Sequence, residues 1–180
     1  MTTGTVQLPA AKDVREMLEG LVGRGVTVSP GAPVTPTPDS PVSVAVYVDP
    51  HMAINALCVM DLGASAYTGG ALALLPPGGC QDAVEEDGEL SGMMVEALHE
   101  VVNVLSALFN TPGAPHSKLH KLYAPGDDLP GDIEACSPTS TGSTSRSTSR
   151  ATARARSPSC CHNTAVLRTA PRPIAVPDGR

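Results

Sequence analysis

The feature that most constrains this chain is a change in character after Ala135. Up to that residue the apolar side chains recur with helical or strand periods. From Cys136 onward Ser, Thr, Arg and Pro dominate, in CSPTSTGSTSRSTSRATARARSPSCC. Such a composition has too little apolar surface to bury against the entropy cost of folding. We therefore expect one α/β domain over residues 5–135 and a disordered tail over residues 136–180.

The tail also has the pattern that an out-of-frame reading of GC-rich DNA produces. If one base is lost after the codon for Ala135, the first base of each codon now read was the second base of the original codon. TCN serines and cysteines then report a middle T, which always encodes an apolar residue, whereas threonines report a polar one. On this reading Ser143, Ser145, Ser147 and Ser149 become alternating apolar positions, which is the strand period.

One consistent original reading of the tail is LLADLDRLDLEVDVAGYG followed by RAVAVVLS, with a stop at the codon now read as Asn163. It describes a helix end, an alternating strand, a glycine turn and a final strand. We interpret residues 136–180 as a frameshifted segment that has replaced the last two strands of the domain, which is then incomplete. The alternative is that no frameshift has occurred and that the tail is a genuine disordered Ser/Thr/Arg segment.

The composition before the tail allows a real core and excludes several classes of function. Hydrophobic residues make up 41% of the chain and aromatic residues only 2%, so Val, Leu, Ala and Met must form the core. The net charge of −6 argues against nucleic acid as a partner. We find neither a signal peptide nor an apolar run of about 18 residues, and expect a cytoplasmic protein without a membrane span. The five cysteines fit no zinc or redox spacing and are interpreted as buried or incidental thiols.

The periodic patterns predict an α+β fold. Asp13 and Glu16 resemble a capping box at the start of the first helix, and Gly23 is placed to end it. The predicted elements are a helix over 12–22, strands over 26–29, 42–48 and 54–62, a small-residue helix over 63–75, an acidic loop over 81–89, a long helix over 89–110 and a strand over 116–124.

The long helix carries a polar stripe opposite its apolar one. The stripe recurs at spacings of three and four and comprises Glu96, His99, Glu100, Asn103, Ser106 and Asn110. A solvated helix face explains such a stripe by itself. Asn103 is less easily explained, because Asn has poor helix propensity in mid-helix. Three of the five histidines, His99, His116 and His120, could suggest a metal, but they come without a carboxylate cluster, and we expect no metal site.

The order of elements together with Glu100-Val-Val-Asn103 resembles the CheC/CheX/FliY family of chemotaxis proteins. The matching segments are DVREMLEGLVGRGVTV, VSVAVYVDP, INALCVMDL, GASAYTGGALALLPPG, ELSGMMVEALHEVVNVLSALFN and HSKLHKLYAPG, which together cover about residues 13–135. Only one Glu-x-x-Asn copy is present, as in the CheX type. The family's fuller motif has Asp or Ser four residues before the Glu, where this chain has Glu96.

The resemblance implies a CheC/CheX-like mixed sheet packed with helices. It also implies a domain that dephosphorylates the aspartyl phosphate of a CheY-like response-regulator receiver domain. Glu100 would anchor the partner through a Lys at its active site, and Asn103 would orient the attacking water. The phosphorylated partner would carry the Mg²⁺, so this chain would need no cofactor of its own. CheX-type domains dimerise, and a homodimer is expected on the same ground. Two alternatives stay open: a non-catalytic protein-interaction module of the same fold, or an inactive, truncated relative.

Overall fold

A computed structural model describes residues 6–23, 25–26, 40–136 and 164–167. The fold is α+β, as the sequence predicts. The elements in chain order are α1 (Ala11–Val22), β1 (Val42–Val48), β2 (Ile54–Asp61), α2 (Leu62–Leu72), α3 (Pro77–Asp82), a π-helical turn (Ala83–Asp87), α4 (Gly92–Leu105) continued by a 3-10 turn (Ser106–Phe109), β3 (Lys118–Tyr123), α5 (Gly131–Cys136) and β4 (Thr164–Leu167).

The sheet has the strand order β3-β1-β2-β4. β1 pairs antiparallel with β2 on one side and with β3 on the other, so that Val44 lies between Val59 and Tyr123. β4 pairs parallel with β2 at the far edge. All seven residues of β1 are buried, which explains why VSVAVYV is apolar or small at every position.

One face of the sheet, the helical face, packs against α1, α2 and α4. Ala45 and Tyr47 of β1 lie on this face together with Cys58 of β2. Val14 and Leu18 of α1 cover it, as do the buried α4 residues Leu98, Val101, Val102 and Leu105. The Tyr47 and Phe109 rings, whose centroids lie 4.8 Å apart, supply the bulk that the aliphatic core otherwise lacks.

The other face, the valine face, is formed by the alternate residues of the same strands. It consists of Val42, Val44, Val46 and Val48 from β1 with Leu57 and Val59 from β2. Beyond the strands, only Leu129 and Ile133 among the described residues pack in this cluster. Both come from the short segment around α5, so this face has far less described cover than the helical face.

The first helix begins differently from the prediction. Its N-cap is Ala10, which makes no side-chain capping bond, and Asp13 lies within the first turn. The predicted capping box is therefore wrong, because the helix starts two residues before the polar pair can cap it. Gly23 does end the helix, with φ of 64° and its N–H donating to the carbonyl of Glu19.

The small-residue helix is confirmed, and its glycines have a packing role. A Cβ on Gly69 would lie 2.5 Å from the carbonyl oxygen of Met94, and one on Gly70 would overlap the Cys80 sulfur. The two glycines thus let α2 approach α4 and α3 closely. The predicted acidic loop over 81–89 is wrong. Residues 81–87 belong to the end of α3 and to the π-helical turn, and Ala83 is buried there.

The predicted strand over 26–29 lies mostly outside the described residues. The tail prediction needs correction at one place, since Thr164–Leu167 forms the edge strand β4. Its sequence TAVL has the β-branched and apolar residues that suit a strand, and β2 offers it a row of backbone donors and acceptors. The rest of the tail, residues 137–163 and 168–180, lies outside the described residues.

Candidate functional site

The long predicted helix is confirmed as α4 with its 3-10 turn. It begins at Gly92 rather than Glu89, because the Ser91 Oγ accepts a hydrogen bond from the N–H of Met94 and caps the helix there. Met94, Leu98 and Val101 point into the domain and are buried. The opposite side of the helix consequently faces solvent.

Glu100 and Asn103 lie on this solvent side, three residues apart and both exposed. Residues at this spacing project from one face of a helix. The Glu100 side chain is 66% exposed, and its neighbour His99 places Nδ1 3.7 Å from its Oε1. Ion pairs at such exposure contribute little, so Glu100 is accessible to a partner's cation.

The polar stripe divides into two parts with different roles. Glu96, like His99, is exposed beside Glu100 and Asn103. Asn110 instead belongs to the architecture, because its Oδ1 accepts from the N–H of Ser117 at 2.6 Å and its Nδ2 donates to the carbonyl of Ser117 at 3.1 Å. These bonds fasten the start of β3 to the end of the α4 region. The working surface therefore covers residues 96–103, not the whole stripe.

A buried tyrosine holds α4 directly beside the candidate pair. The Tyr47 hydroxyl donates a 2.7 Å hydrogen bond to the carbonyl oxygen of Val102. In a regular α-helix that oxygen would accept from the N–H of Ser106, but here that N–H donates to Asn103 instead, where the helix tightens into its 3-10 turn. Tyr47 thus satisfies a carbonyl that the tightened turn has released, one residue before Asn103.

Apolar side chains surround the pair on the exposed side of α4. Met93 and Val104 are 58% and 39% exposed, respectively. An open groove beside them is lined by Leu72, Ala73, Met93, Val95, Glu96, Ala97, His99, Glu100 and Leu122. Glu100 lines this groove, and Asn103 is not among its lining residues. Met93 was missed by the sequence reasoning, although its spacing of seven from Glu100 places both on one helix face.

The buried titratable groups are structural. Burial raises the pKa of the Cys58 thiol to about 12, and burial and then the charge of Cys58 raise the pKa of the Tyr47 hydroxyl. A thiol that stays protonated is a poor nucleophile. Cys58 and Cys80 are both buried, which confirms the prediction of buried thiols for these two.

No three side chains of His, Cys, Asp or Glu in the described ranges are grouped to hold a metal ion. His116 and His120 are both exposed near or on β3. The segment Gly92–Phe109 has the length and mean hydropathy, 1.3 over 18 residues, of a membrane-crossing helix. A core helix of a soluble protein passes the same test, and α4 packs its apolar side on the sheet.

No family model, no curated protein and no solved structure matches this chain. The geometry around Glu100 and Asn103 is therefore what any functional assignment has to be built on.

Proposed function

We propose that α4 carries a CheX-like phosphatase site that hydrolyses the aspartyl phosphate of a CheY-like receiver domain. Glu100 anchors the partner, and Asn103 positions the attacking water. The observation that supports this most directly is the exposure of both side chains on one face of a helix whose opposite face is buried. A helix mounted in this way can present two groups to a partner's active site without rearranging.

The proposed hydrolysis requires few groups from this chain. An aspartyl phosphate is an acyl phosphate, so its phosphorus is attacked by water and the aspartate carboxylate leaves. The bond from phosphorus to the aspartate oxygen breaks, the water oxygen bonds to phosphorus, and the water's proton passes to a phosphate oxygen of the inorganic phosphate that is released. The partner supplies the Mg²⁺ that bears the phosphoryl charge. What this chain supplies is the amide of Asn103, which orients the water through hydrogen bonds.

Glu100 has the properties of an anchor rather than of a base. Its side chain is largely in solvent, and it lies in the groove beside Met93 and Glu96. A carboxylate in this position forms a charge-assisted bond with a partner's ammonium group once docking excludes water. The receiver-domain active site, with its Lys, supplies such a group in the family that this chain resembles.

Phosphate release from a phosphorylated CheY-like receiver domain tests the proposal. We expect Asn103→Ala to lower the rate by about 100-fold with little change in receiver binding, because a misplaced water loses the gain from orientation. Glu100→Gln should weaken binding instead. Glu96→Gln is the matched control, since it removes one exposed acid of the same helix face.

Three results would contradict parts of this scheme. Release unaffected by Asn103→Ala removes Asn103 from the mechanism. Equal effects of Glu96→Gln and Glu100→Gln reduce the anchor to general surface charge. If no receiver domain is dephosphorylated, the enzymatic proposal fails as a whole.

A non-catalytic interaction module is the second candidate, and the exposed apolar side chains favour it specifically. Met93 and Val104 flank Glu100 and Asn103, and exposed apolar residues with a polar surround are typical of protein-binding surfaces. In this case the same helix binds a receiver domain without hydrolysis. Binding that is lost in Met93→Ser and kept in Asn103→Ala, without phosphate release by either, would identify it. A homodimer, as in CheX-type domains, is proposed on the resemblance alone.

A further inference from the structure

The helix α2 ends in a cap that has an unusual residue at its centre. The N–H of Leu75 donates to the carbonyl of Gly70 at 2.8 Å, and the N–H of Leu74 donates to that of Ala71 at 3.2 Å. This pair of bonds forms a Schellman cap, in which the left-handed residue is usually Gly. Here that residue is Leu74, with φ of 57°. A bulky side chain is strained in this conformation, so glycine would make the cap more stable.

The Leu74 side chain is not part of the described core. Leu74 is 83% exposed, more than any other large apolar residue in the described part of the chain. It is a member of none of the three core clusters that the described residues form. Burial in the folded chain therefore does not explain a leucine at this position. An exposed apolar side chain in a strained backbone conformation fits a residue that contacts a partner.

Leu74 adjoins the open groove beside α4. The two residues that precede it, Leu72 and Ala73, line this groove. On the α4 side the lining runs from Met93 to Glu100, a length of about 10 Å, or two helical turns. The groove has a volume of about 760 Å³. An exposed and mainly apolar site thus extends along two turns of α4.

The fully charged side chains of the groove are both acidic. Glu96 and Glu100 line it four residues apart, which places their carboxylates one helical turn from each other. The described residues that line the groove include no Lys or Arg. A complementary occupant has apolar side chains and two cations about one turn apart. Lys or Arg at positions i and i+4 of a second helix meets this spacing, and a helix lying in an apolar groove is a common mode of recognition.

The same charges disfavour two other occupants. A two-fold interface pairs a surface with itself, so a second copy docked through this patch would bring Glu96 and Glu100 against an equally acidic surface. Like charges in contact are destabilising. An anionic membrane surface attracts basic segments, not acidic ones.

We propose that a basic amphipathic helix of a partner protein docks in this groove, with Leu74 as an exposed apolar anchor on the α2 side. Glu96 and Glu100 pair with its cations, and Met93 contacts its apolar side chains. This docking requires no hydrolysis by Asn103, so it is independent of the phosphatase proposal and is measured by binding alone.

Binding of a synthetic helical peptide to the full chain tests the proposal. The probe is a fluorescent peptide of about 15 residues, the length at which an isolated helix begins to form. It has leucines along one face and lysines at positions i and i+4 beside them, and its counterpart has glutamates in place of the lysines. We expect fluorescence anisotropy to show binding of the basic peptide about 10-fold or more tighter than that of the acidic one. Changing both groove acids, Glu96→Gln with Glu100→Gln, should remove most of this difference.

Leu74→Gly separates docking from folding, because its two expected effects have opposite signs. Glycine relaxes the left-handed cap, so the melting temperature should rise by a few degrees. The loss of the anchor should weaken binding of the basic peptide by about 10-fold. Met52→Gly is the matched control, since Met52 also has a positive φ, of 66°, and is 53% exposed but does not line the groove. This control should gain stability and bind the peptide like the parent chain.

Equal binding of the two peptides, or no binding of either, would remove the acidic groove as a docking site. Unchanged binding in Leu74→Gly, or an equal loss in Met52→Gly, would remove Leu74 as the anchor. A lower melting temperature for Leu74→Gly would give this residue a structural role and overturn the proposal. Self-association of the parent chain that Leu74→Gly abolishes, measured by sedimentation, would assign the patch to a second copy instead. Binding to phosphatidylcholine vesicles that Leu74→Gly abolishes would assign it to a membrane.

Discussion

The two faces of one sheet are both buried, but the described residues that pack on them differ, although the same strands build both. The helical face combines Tyr47, Ala45 and Cys58 with side chains from three helices. The valine face is uniform and β-branched, and the described residues that cover it come from one short segment. The strands of this domain therefore contain the pattern of a three-layer structure, whereas only one outer layer is well developed in the described residues.

The proposed site lies on α4, which packs on the helical face. α4 packs between the sheet and α2. Gly69 of α2 lies against the backbone of α4, and the Tyr47 hydroxyl of β1 donates a hydrogen bond to the Val102 carbonyl. A helix fixed from two sides can present Glu100 and Asn103 in a constant geometry, as positioning of a water molecule demands. On the valine face, Ile133 is the one buried side chain outside the strands among the described residues.

Two leucines of equal burial provide the sharpest test of the comparison. Leu98 on the helical face and Leu57 on the valine face are both 0% exposed. We expect Leu98→Ala to lower the free energy of unfolding by about 4 kcal/mol, because its surroundings are held by several elements and cannot close the cavity. Leu57→Ala should cost about 2 kcal/mol, near the lower end of the usual range, since a short segment can move inward.

Chemical denaturation of both variants measures the difference directly. If the two costs are equal, the valine face is as rigidly packed as the helical face. The contrast between the faces would then be one of composition only. A larger cost for Leu57→Ala would reverse it.

Gly69→Ala is expected to have the next largest effect. The added Cβ would meet the Met94 carbonyl oxygen at 2.5 Å, so α2 and α4 must separate or shift. Overpacking of this kind costs about 2–3 kcal/mol of unfolding free energy. The matched control is Gly78→Ala in α3, where nothing lies within 4 Å of the added atom. Thermal unfolding of both variants should show a loss for Gly69→Ala and none for the control. Equal melting temperatures would show that the α2–α4 contact is loose.

The sequence predicted the central elements well because their periods are clear. VSVAVYV and INALCVMD are strands, and the apolar stripe of α4 faces the core as its spacing requires. The placement of Glu100 and Asn103 on the exposed side followed from the same spacing. The sequence was less informative where a residue's role depends on a neighbour that is distant along the chain. Glycine inside a helix is unfavourable by local propensity, yet Gly69 is needed because the Met94 carbonyl lies against it.

Tyr47 and Asn110 show the same limit near the candidate site. Tyr47 occupies an ordinary strand position in the sequence, and nothing local indicates that it bonds to Val102, 55 residues further on. Asn110 continued the polar stripe by spacing, but its amide is engaged by the backbone of Ser117. Periodicity assigns a residue to a face of its own element, and hydrogen bonds between elements lie outside what it can predict.

Tyr47→Phe tests whether the hydrogen bond from Tyr47 to α4 affects activity as well as stability. The change removes the donor to the Val102 carbonyl and leaves that buried oxygen unsatisfied, at a cost of about 1–3 kcal/mol in unfolding free energy. If α4 holds Asn103 in place, phosphate release should fall while receiver binding through Glu100 is kept. Leu57→Ala, with a similar expected cost on the other face, is the control for stability alone. Equal losses of phosphate release in both variants would assign Tyr47 a structural role only.

The smallest expected effect is the pH dependence of stability, and it tests how tightly the helical face is closed. Burial raises the pKa of Cys58, on the helical face, from 9.0 to about 12. The thiol ionises more easily in the unfolded chain, so this contribution to stability is complete below pH 9 and is lost as pH rises toward 12. Each pH unit in that window costs at most about 1.4 kcal/mol for this one group. Unfolding free energies at pH 8 and pH 10 should therefore differ more in the parent chain than in Cys58→Ala. An identical pH dependence in both would mean that water reaches this thiol and that the helical face is less tightly closed than its buried side chains indicate.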